Sequence, residues 1–192
     1  MGLTVWLQAG AMRRFLSPTV PLRCAAIALL MAAAPAQPQA SRQNDWLAAH
    51  NEARTDVGMA PLAWSDRLAA DAAAWAKHLA ANDLYDHASL EQRRGQGENL
   101  WKGPRDNWSA TETIGFFVAE KRDFKFGTFP EISRTGQWRD VGHYAQVIWP
   151  ETREVGCAIA YTASDEVLVC RYWPAGNVWG REIAQPQRIT RR

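Results

Sequence analysis

The segment EVGCAIAYTASDEVLVCRYW (154–173) decides the fold, because it predicts two strands joined by a short turn. Both halves are rich in β-branched and aromatic residues, and the polar residues TASD separate them. Pairing Tyr161 with Glu166 across the turn places Cys157 opposite Cys170. Directly opposed strand residues lie about 4.5 to 5.5 Å apart, which a disulfide can span. The segment therefore predicts an antiparallel hairpin closed by a Cys157–Cys170 bridge.

Residues 1–40 have the pattern of a secretory signal. They contain three arginines, no acidic residue and the apolar stretch CAAIALLMAAA, followed by small residues. We expect cleavage after Ala36 or Ala40. The apolar stretch is too short to span a membrane, so an integral membrane protein is not expected. The sequence predicts export to the extracellular space or the periplasm, and the Ala/Arg-rich signal indicates a bacterial source.

Export also accounts for the charge and the cysteines. The whole chain has 22 Lys and Arg residues against 20 Asp and Glu residues. Without the three arginines of the signal, 19 basic residues face 20 acidic ones, so no basic surface argues for nucleic acid apart from the solvated tail at 181–192. Cleavage leaves Cys157 and Cys170 as the only cysteines, and two buried free thiols are the alternative if the chain is not exported.

Helical patterns come before the hairpin. Three helices are predicted, over 44–58 with Asn44 as N-cap, over 65–83 with an apolar stripe, and over 110–123 after the capping box SATE. Helices first and antiparallel strands mostly later indicate an α+β domain.

The remaining segments give weaker patterns. Residues 84–108 and 123–140 contain many turn formers and are predicted to be irregular. GHYAQVIW (142–149) is interpreted as a buried strand, with one face formed by His143, Ala145, Val147 and Trp149.

Four histidines are present, and two of them are candidates for chemistry. We expect His78 to be solvated and His50 to pack the first helix. His87 lies in an irregular segment and His143 heads an apolar run, so each is either a ligand or a hydrogen-bonded structural residue. The chain has no HExxH, GxSxG or phosphate-loop motif, and no cysteine is left for a nucleophile if both are paired.

Four motifs in order resemble one family. HNEAR (50–54), GENLW (97–101), GHYAQVIW and LVCRYWPAGNVWG (168–180) follow the order and approximate spacing of the CAP superfamily, also called the SCP domain. This family includes cysteine-rich secretory proteins, antigen 5 and plant pathogenesis-related proteins. The resemblance implies a domain at 41–180 with a three-layer α-β-α sandwich around a central antiparallel sheet.

The resemblance also implies a cleft lined by two histidines and two acids. His143 matches the histidine of the GHY motif and Glu98 matches the acid of GEN. His87 fits the first histidine, and Glu120 fits the second acid. The two imidazoles would bind Zn²⁺ or another divalent cation weakly, while the carboxylates act through water or orient the rings. The alternative is that the four side chains only hydrogen-bond one another and brace the cleft.

Two functions are compatible with such a cleft. The first is a secreted binding module for a sterol or another lipid, or one acting in defence. Its aromatic segment DFKFGTF (123–129) would either supply an apolar lip or simply belong to the core. The second is a metal-assisted, peptidase-like hydrolase with Glu98 or Glu120 as general base. Because the sequence supplies neither a third metal ligand nor an oxyanion hole, we favour the binding module and assign no catalytic residue.

Overall fold

The computed structural model describes residues 39–184, so the predicted signal peptide up to residue 38 and the end of the basic tail lie outside the described residues. The helices are α1 Gln39–Asp56, α2 Asp66–Asn82, α3 Leu90–Arg93, α4 Ala110–Ala119 and α5 Gly142–Val147. The strands are β1 Ala63–Trp64, β2 Gly97–Pro104, β3 Gly127–Thr128, β4 Glu154–Tyr161, β5 Asp165–Trp173 and β6 Glu182–Ile183. Short 3-10 turns occupy Glu120–Arg122 and Trp138–Asp140.

The central sheet is built around the predicted hairpin. Its strand order is β1-β4-β5-β2. Tyr161 pairs with Glu166 and Cys157 pairs with Cys170, so the predicted register is confirmed. The two cysteines form the disulfide, with their Cα atoms 4.1 Å apart. β2, β5 and β4 are antiparallel, whereas the two-residue β1 runs parallel to β4 at one edge.

Helices cover both faces of this sheet. On one face α2 buries Ala72, Ala76 and Leu79 against side chains of β2, β4 and β5. On the other face, α1, α4 and α5 form a second core, with Trp46, Ile114, Phe117, Tyr144, Leu168 and Tyr172 among its members. The expected three-layer α-β-α sandwich is therefore confirmed.

Gly156 lets α2 approach the sheet closely. A Cβ atom built on Gly156 would lie 2.2 Å from the amide nitrogen of Ala69 and 2.6 Å from the carbonyl oxygen of Ser65. Both contacts are with backbone, which a side-chain rotation cannot relieve. The helix consequently lies directly on β4 at this point.

The prediction of GHYAQVIW as a strand is wrong, because residues 142–147 form helix α5. Charged side chains outside α5 form hydrogen bonds with the backbone at both of its ends. At the start, a Glu120 oxygen accepts hydrogen bonds from the amides of His143 and Tyr144. At the end, the Arg54 guanidinium donates to the carbonyls of Val147 and Trp149. The alternating face expected for a strand therefore does not exist.

The segment 84–108 is also more regular than predicted. It contains β2, in which every residue from Gly97 to Pro104 pairs with a residue of β5. The first helix begins at Gln39 rather than at Asn44, and the third ends at Ala119 before its 3-10 turn. The ordered fold extends past residue 180, because β6 pairs with β3 and Ile183 is fully buried.

The aromatic segment 123–129 does not form a lip. Phe124 and Phe129 are buried in the core, and the half-buried Phe126 packs against Phe124. The alternative that this segment supplies an apolar edge to the cleft is therefore wrong. In the described part of the chain, no helix has the length and hydropathy needed to cross a membrane.

Candidate functional site

His87 is oriented by the buried carboxylate of Glu98. The two residues come from the loop after α2 and from the start of β2, and Nδ1 of His87 lies 2.7 Å from Oε1 of Glu98. The same oxygen accepts a hydrogen bond from the amide of Ala88. Because a carboxylate oxygen only accepts, Nδ1 carries the proton and the neutral ring keeps its lone pair on Nε2. The His87 side chain is about half exposed, at 53 %.

Glu98 is anchored on its other side by Arg171. The two residues are direct neighbours on adjacent strands, and Nη2 of Arg171 lies 2.9 Å from Oε2 of Glu98. The carboxylate is fully buried and the guanidinium nearly so, hence neither charge is screened by water. Burial lowers the pKa of Arg171, while the negative charges of Glu98 and Asp71 oppose that shift. This residue was missed in the sequence, although an arginine inside the apolar run VLVCRYW was the available signal.

His143 is held in the same way by Glu120. Its Nδ1 lies 2.6 Å from Oε1 of Glu120, and the other oxygen accepts the amide hydrogens at the start of α5. The ring also stacks on Phe117 of α4, with centroids 5.1 Å apart. Both its position and its tautomer are thus fixed, and Nε2 again retains the lone pair. No hydrogen-bond partner for Nε2 of His87 or His143 occurs among residues 39–184.

Both histidines line one cleft, which has a volume of about 420 Å³. Its lining consists of His87, Glu98, Asn99, Trp138, Arg139, Gly142, His143 and Asn177. Glu120 does not contribute to this lining and reaches the cleft through His143. Three of the four predicted residues thus line one opening, and the fourth contacts it through its partner. Each carboxylate orients one imidazole ring: Glu98 that of His87, and Glu120 that of His143.

A buried chain of hydrogen bonds connects this cleft to α1. The Asn99 amide donates to the carbonyl of His143 and to the hydroxyl of Tyr172. The Tyr172 hydroxyl donates to Nε2 of His50, whose Nδ1 donates to the carbonyl of Trp46. Burial lowers the pKa of His50 from 6.5 to about 4, so the ring is neutral. The predicted structural role of His50 is confirmed, and His78 is exposed as expected.

Gln146 joins three of the sequence motifs. Its side chain is buried, accepts from the amide of Gly176 and donates to Thr152. A Cβ atom on Gly97 would lie 2.1 Å from Oε1 of Gln146, so the glycine of the GEN motif leaves room for this amide. Residues of three motifs therefore contact one another through Gln146.

His50, Cys157 and Cys170 form the one group of three potential metal ligands among the described residues. The two sulfurs are bonded to each other, so neither is a thiolate. Both nitrogens of His50 are also occupied by hydrogen bonds. This group is consequently unsuited to a metal in the oxidised protein, and the cleft histidines are the better donor set.

Comparison with known proteins places this geometry in context. A model of the cysteine-rich secretory protein family (CAP) matches residues 47–172. Pathogenesis-related protein 1C of Nicotiana tabacum is 38 % identical over 141 residues, which cover 72 % of this chain and 79 % of that protein. Among solved structures, BmVAL-1 aligns with a TM-score of 0.65 at 22 % identity, over 80 % of this chain and 86 % of that one. NaASP2, whose structure contains Zn²⁺, aligns with a TM-score of 0.62 at 24 % identity, over 77 % and 86 % of the two chains.

Proposed function

Because the chain belongs to the cysteine-rich secretory protein (CAP) family, we propose that it is an exported binding protein whose cleft takes up a divalent cation through His87 and His143. Zn²⁺ is the first candidate, since neutral imidazoles are among its usual ligands. When bound, the cation supplies a positive Lewis-acid centre on which a polar group of a further ligand can bind.

The observation that carries the proposal is the pairing of each ring with its own carboxylate. In carboxylate–histidine–metal arrangements the carboxylate accepts from one ring nitrogen and leaves the other to the metal. His87 with Glu98 and His143 with Glu120 have this arrangement, at 2.7 and 2.6 Å. Two protein ligands are fewer than the three of a catalytic zinc site, so the cation is expected to exchange.

The state of the carboxylates argues against a hydrolase. A general base needs an oxygen that can reach a water molecule beside the substrate. Glu98 is fully buried and its oxygens face Arg171, Ala88 and His87. The oxygens of Glu120 accept from the backbone and ring of His143 and from the amide of Tyr144. Both acids are therefore engaged in positioning the histidines, which favours binding over catalysis.

Export and a lipid ligand belong to the same proposal. The disulfide between Cys157 and Cys170 suits an oxidising compartment. A sterol or another lipid is the candidate organic ligand, and a role in defence is the broader biological expectation. The cleft of about 420 Å³ has a size typical of small-molecule sites.

The test is calorimetric titration of the metal-free mature protein with Zn²⁺. We expect one site, at least about tenfold weaker in His87→Ala and in His143→Ala, because each removes one of two protein ligands. His78→Ala is the matched control, since His78 is exposed on α2 and lies outside this cleft. Unchanged affinity in both cleft variants would overturn the proposal.

The same variants separate binding from catalysis. Cholesterol binding is measured with and without Zn²⁺, and cleavage of a mixed peptide library is followed in parallel. Sterol capture that weakens in His143→Ala supports a cleft ligand, whereas sterol capture unaffected by both cleft variants locates the lipid elsewhere. Zinc-dependent peptide cleavage that is lost in either variant would establish the hydrolase instead.

A further inference from the structure

A second cavity lies beside α2, and it shares no lining residue with the histidine cleft. It has a volume of about 330 Å³. Its lining consists of Asp71, Ala74, Trp75, His78, Gln92, Arg94 and Arg171. The volume lies in the range of small-molecule sites, and the lining is mostly polar or charged.

One guanidinium group that lines this cavity, that of Arg171, has an unused buried donor. Arg171 is 97 % buried, yet its Nε has no hydrogen-bond partner in the described chain, although Nη1 and Nη2 contact Gln96 and Glu98. Nε of the neighbouring Arg93 is likewise buried without a partner. A buried donor left unpaired is destabilising, so an acceptor for Nε of Arg171 is expected.

The charges around the cavity favour an anion. Two arginines, Arg94 and Arg171, line the cavity together with one acid, Asp71. Glu98 is already paired with Arg171, and Asp71 accepts a hydrogen bond from Gln96. Among residues 39–184, Arg93 and Arg94 make no ion pair, so positive charge is in excess. The positive charges of Arg93 and Arg171 are close enough to repel, and this repulsion helps to lower the pKa of Arg171.

One wall of the cavity is a pair of stacked rings. Trp75 and His78 lie three positions apart on α2, and their rings stack with centroids 4.7 Å apart and planes 22° from parallel. The Trp75 indole is fixed by its hydrogen bond to the carbonyl of Asp86. A flat organic group can pack against these rings while its charged end faces the arginines.

We propose that this cavity binds a phosphate monoester, with the phosphate at Arg94 and Arg171 and an attached ring against Trp75 and His78. Guanidinium groups match phosphate oxygens, and the dianion would supply negative charge beside Arg171 and beside Arg94, which makes no ion pair among residues 39–184. The free volume exceeds the needs of a bare phosphate, which is why an organic group is included. The proposal is independent of metal binding at the histidine cleft.

The test titrates the mature protein with phenyl phosphate, with phenol and inorganic phosphate as comparison probes. We expect one phenyl phosphate to bind per chain, inorganic phosphate to bind with lower affinity, and phenol not to bind. Arg94→Glu should weaken phenyl phosphate at least about tenfold, because it reverses an exposed charge at the cavity. Arg134→Glu, an exposed arginine outside the cavity, is the matched control, and His87→Ala should bind as the wild type does.

The outcomes distinguish the sources of the phosphate. Binding to vesicles of phosphatidic acid but not of phosphatidylcholine, lost in Arg94→Glu, supports the proposal with a lipid headgroup as ligand. Binding of phenyl phosphate without vesicle binding supports it with a free organic phosphate. Three results would overturn the proposed phosphate site. They are no binding of phenyl phosphate, an equal loss of affinity in Arg94→Glu and Arg134→Glu, and a loss of phenyl phosphate binding in His87→Ala.

Discussion

At the scale of single residues, His50 and Arg54 show why the HNEAR segment matters although it lies outside the cleft. His50 is fully buried and connects Trp46 of α1 to Tyr172 of β5. Arg54 is also fully buried and donates to four carbonyl oxygens, those of Ala60, Val147, Trp149 and Thr152. Both side chains join α1 to elements that are distant in sequence.

His50 makes the stability of the protein depend on pH. Its folded-state pKa is lowered from 6.5 to about 4, so the unfolded chain takes up a proton more readily. The free energy of unfolding should therefore be highest above pH 6.5, decrease as the pH falls through this window and lose roughly 3 kcal/mol by pH 4. Urea unfolding at pH 7, 5.5 and 4.5 measures this loss of unfolding free energy.

His50→Gln should reduce the change of unfolding free energy with pH, whereas the control His78→Gln should retain it. An equal change with pH in the two variants would show that His50 is not its source.

Arg54 should contribute more to stability than any exposed arginine. Arg54→Met leaves four carbonyls without their donor, three of them in buried hydrogen bonds, and we expect a loss of more than about 3 kcal/mol in the free energy of unfolding. Arg153→Met is the matched control, because Arg153 is exposed and its substitution should change stability by less than about 0.5 kcal/mol. Chemical denaturation of the two variants side by side checks the difference, and similar losses would contradict this role for Arg54.

At the scale of elements, the contact of α2 with β4 is set by Gly156. Gly156→Ala should cost about 1 to 3 kcal/mol, since the added methyl group meets the backbone of Ala69 and Ser65. Gly115→Ala is the matched control inside α4, where the new methyl group meets nothing within 4 Å. That change should stabilise the helix by about 0.5 to 1 kcal/mol. Thermal unfolding should therefore move in opposite directions for the two variants, and a shared direction would contradict the packing described.

The hairpin and the three main helices could be predicted because their patterns are local. Cys157 and Cys170 were paired from register alone, and Ser109 forms its capping box with Glu112. The second helix was predicted from a stripe that the structure buries at Leu68, Ala72, Ala76 and Leu79. The sequence of such an element contains the residues that begin and end it and the periodic spacing of its apolar side chains.

The elements around the cleft could not be predicted in this way. α5 has only six residues, and a short apolar run does not distinguish a helix from a strand. Its conformation depends on Glu120 and Arg54, which lie far away in sequence. β2 is similar, because GENLWKGP becomes a strand through pairing with β5. The two histidines and two acids of the cleft were identified by family resemblance. The roles of Arg171 and Asn99 followed from their contacts with Glu98 and His143 in the structure.

At the scale of the whole molecule, the cleft is assembled from separate parts of the chain. His87 lies in the loop after α2 and Glu120 follows α4, whereas Glu98 and His143 are the second residues of β2 and α5. The sandwich brings these parts together, so the cleft geometry depends on the integrity of the complete fold. The disulfide in the central hairpin is the one covalent constraint that acts on that fold within the described residues.

Removing the disulfide should weaken the entire domain. The Cys157→Ala, Cys170→Ala double variant frees a loop with a sequence separation of 13 residues, and we expect a loss of about 2 to 4 kcal/mol. Urea unfolding at pH 7 measures it against the oxidised wild type. Reduction of the wild type should reproduce most of the loss, and a stability unchanged by both treatments would show that the bridge is dispensable.

The central claim is that the Nε2 atoms of His87 and His143 bind one divalent cation. Its most direct test is anomalous diffraction at the zinc absorption edge from crystals of the protein grown with Zn²⁺. We predict one strong anomalous peak in the cleft, about 2.0 to 2.1 Å from Nε2 of each ring, while Nδ1 of each ring stays on its carboxylate. A peak at other residues, or no peak in the cleft at saturating Zn²⁺, would contradict the account.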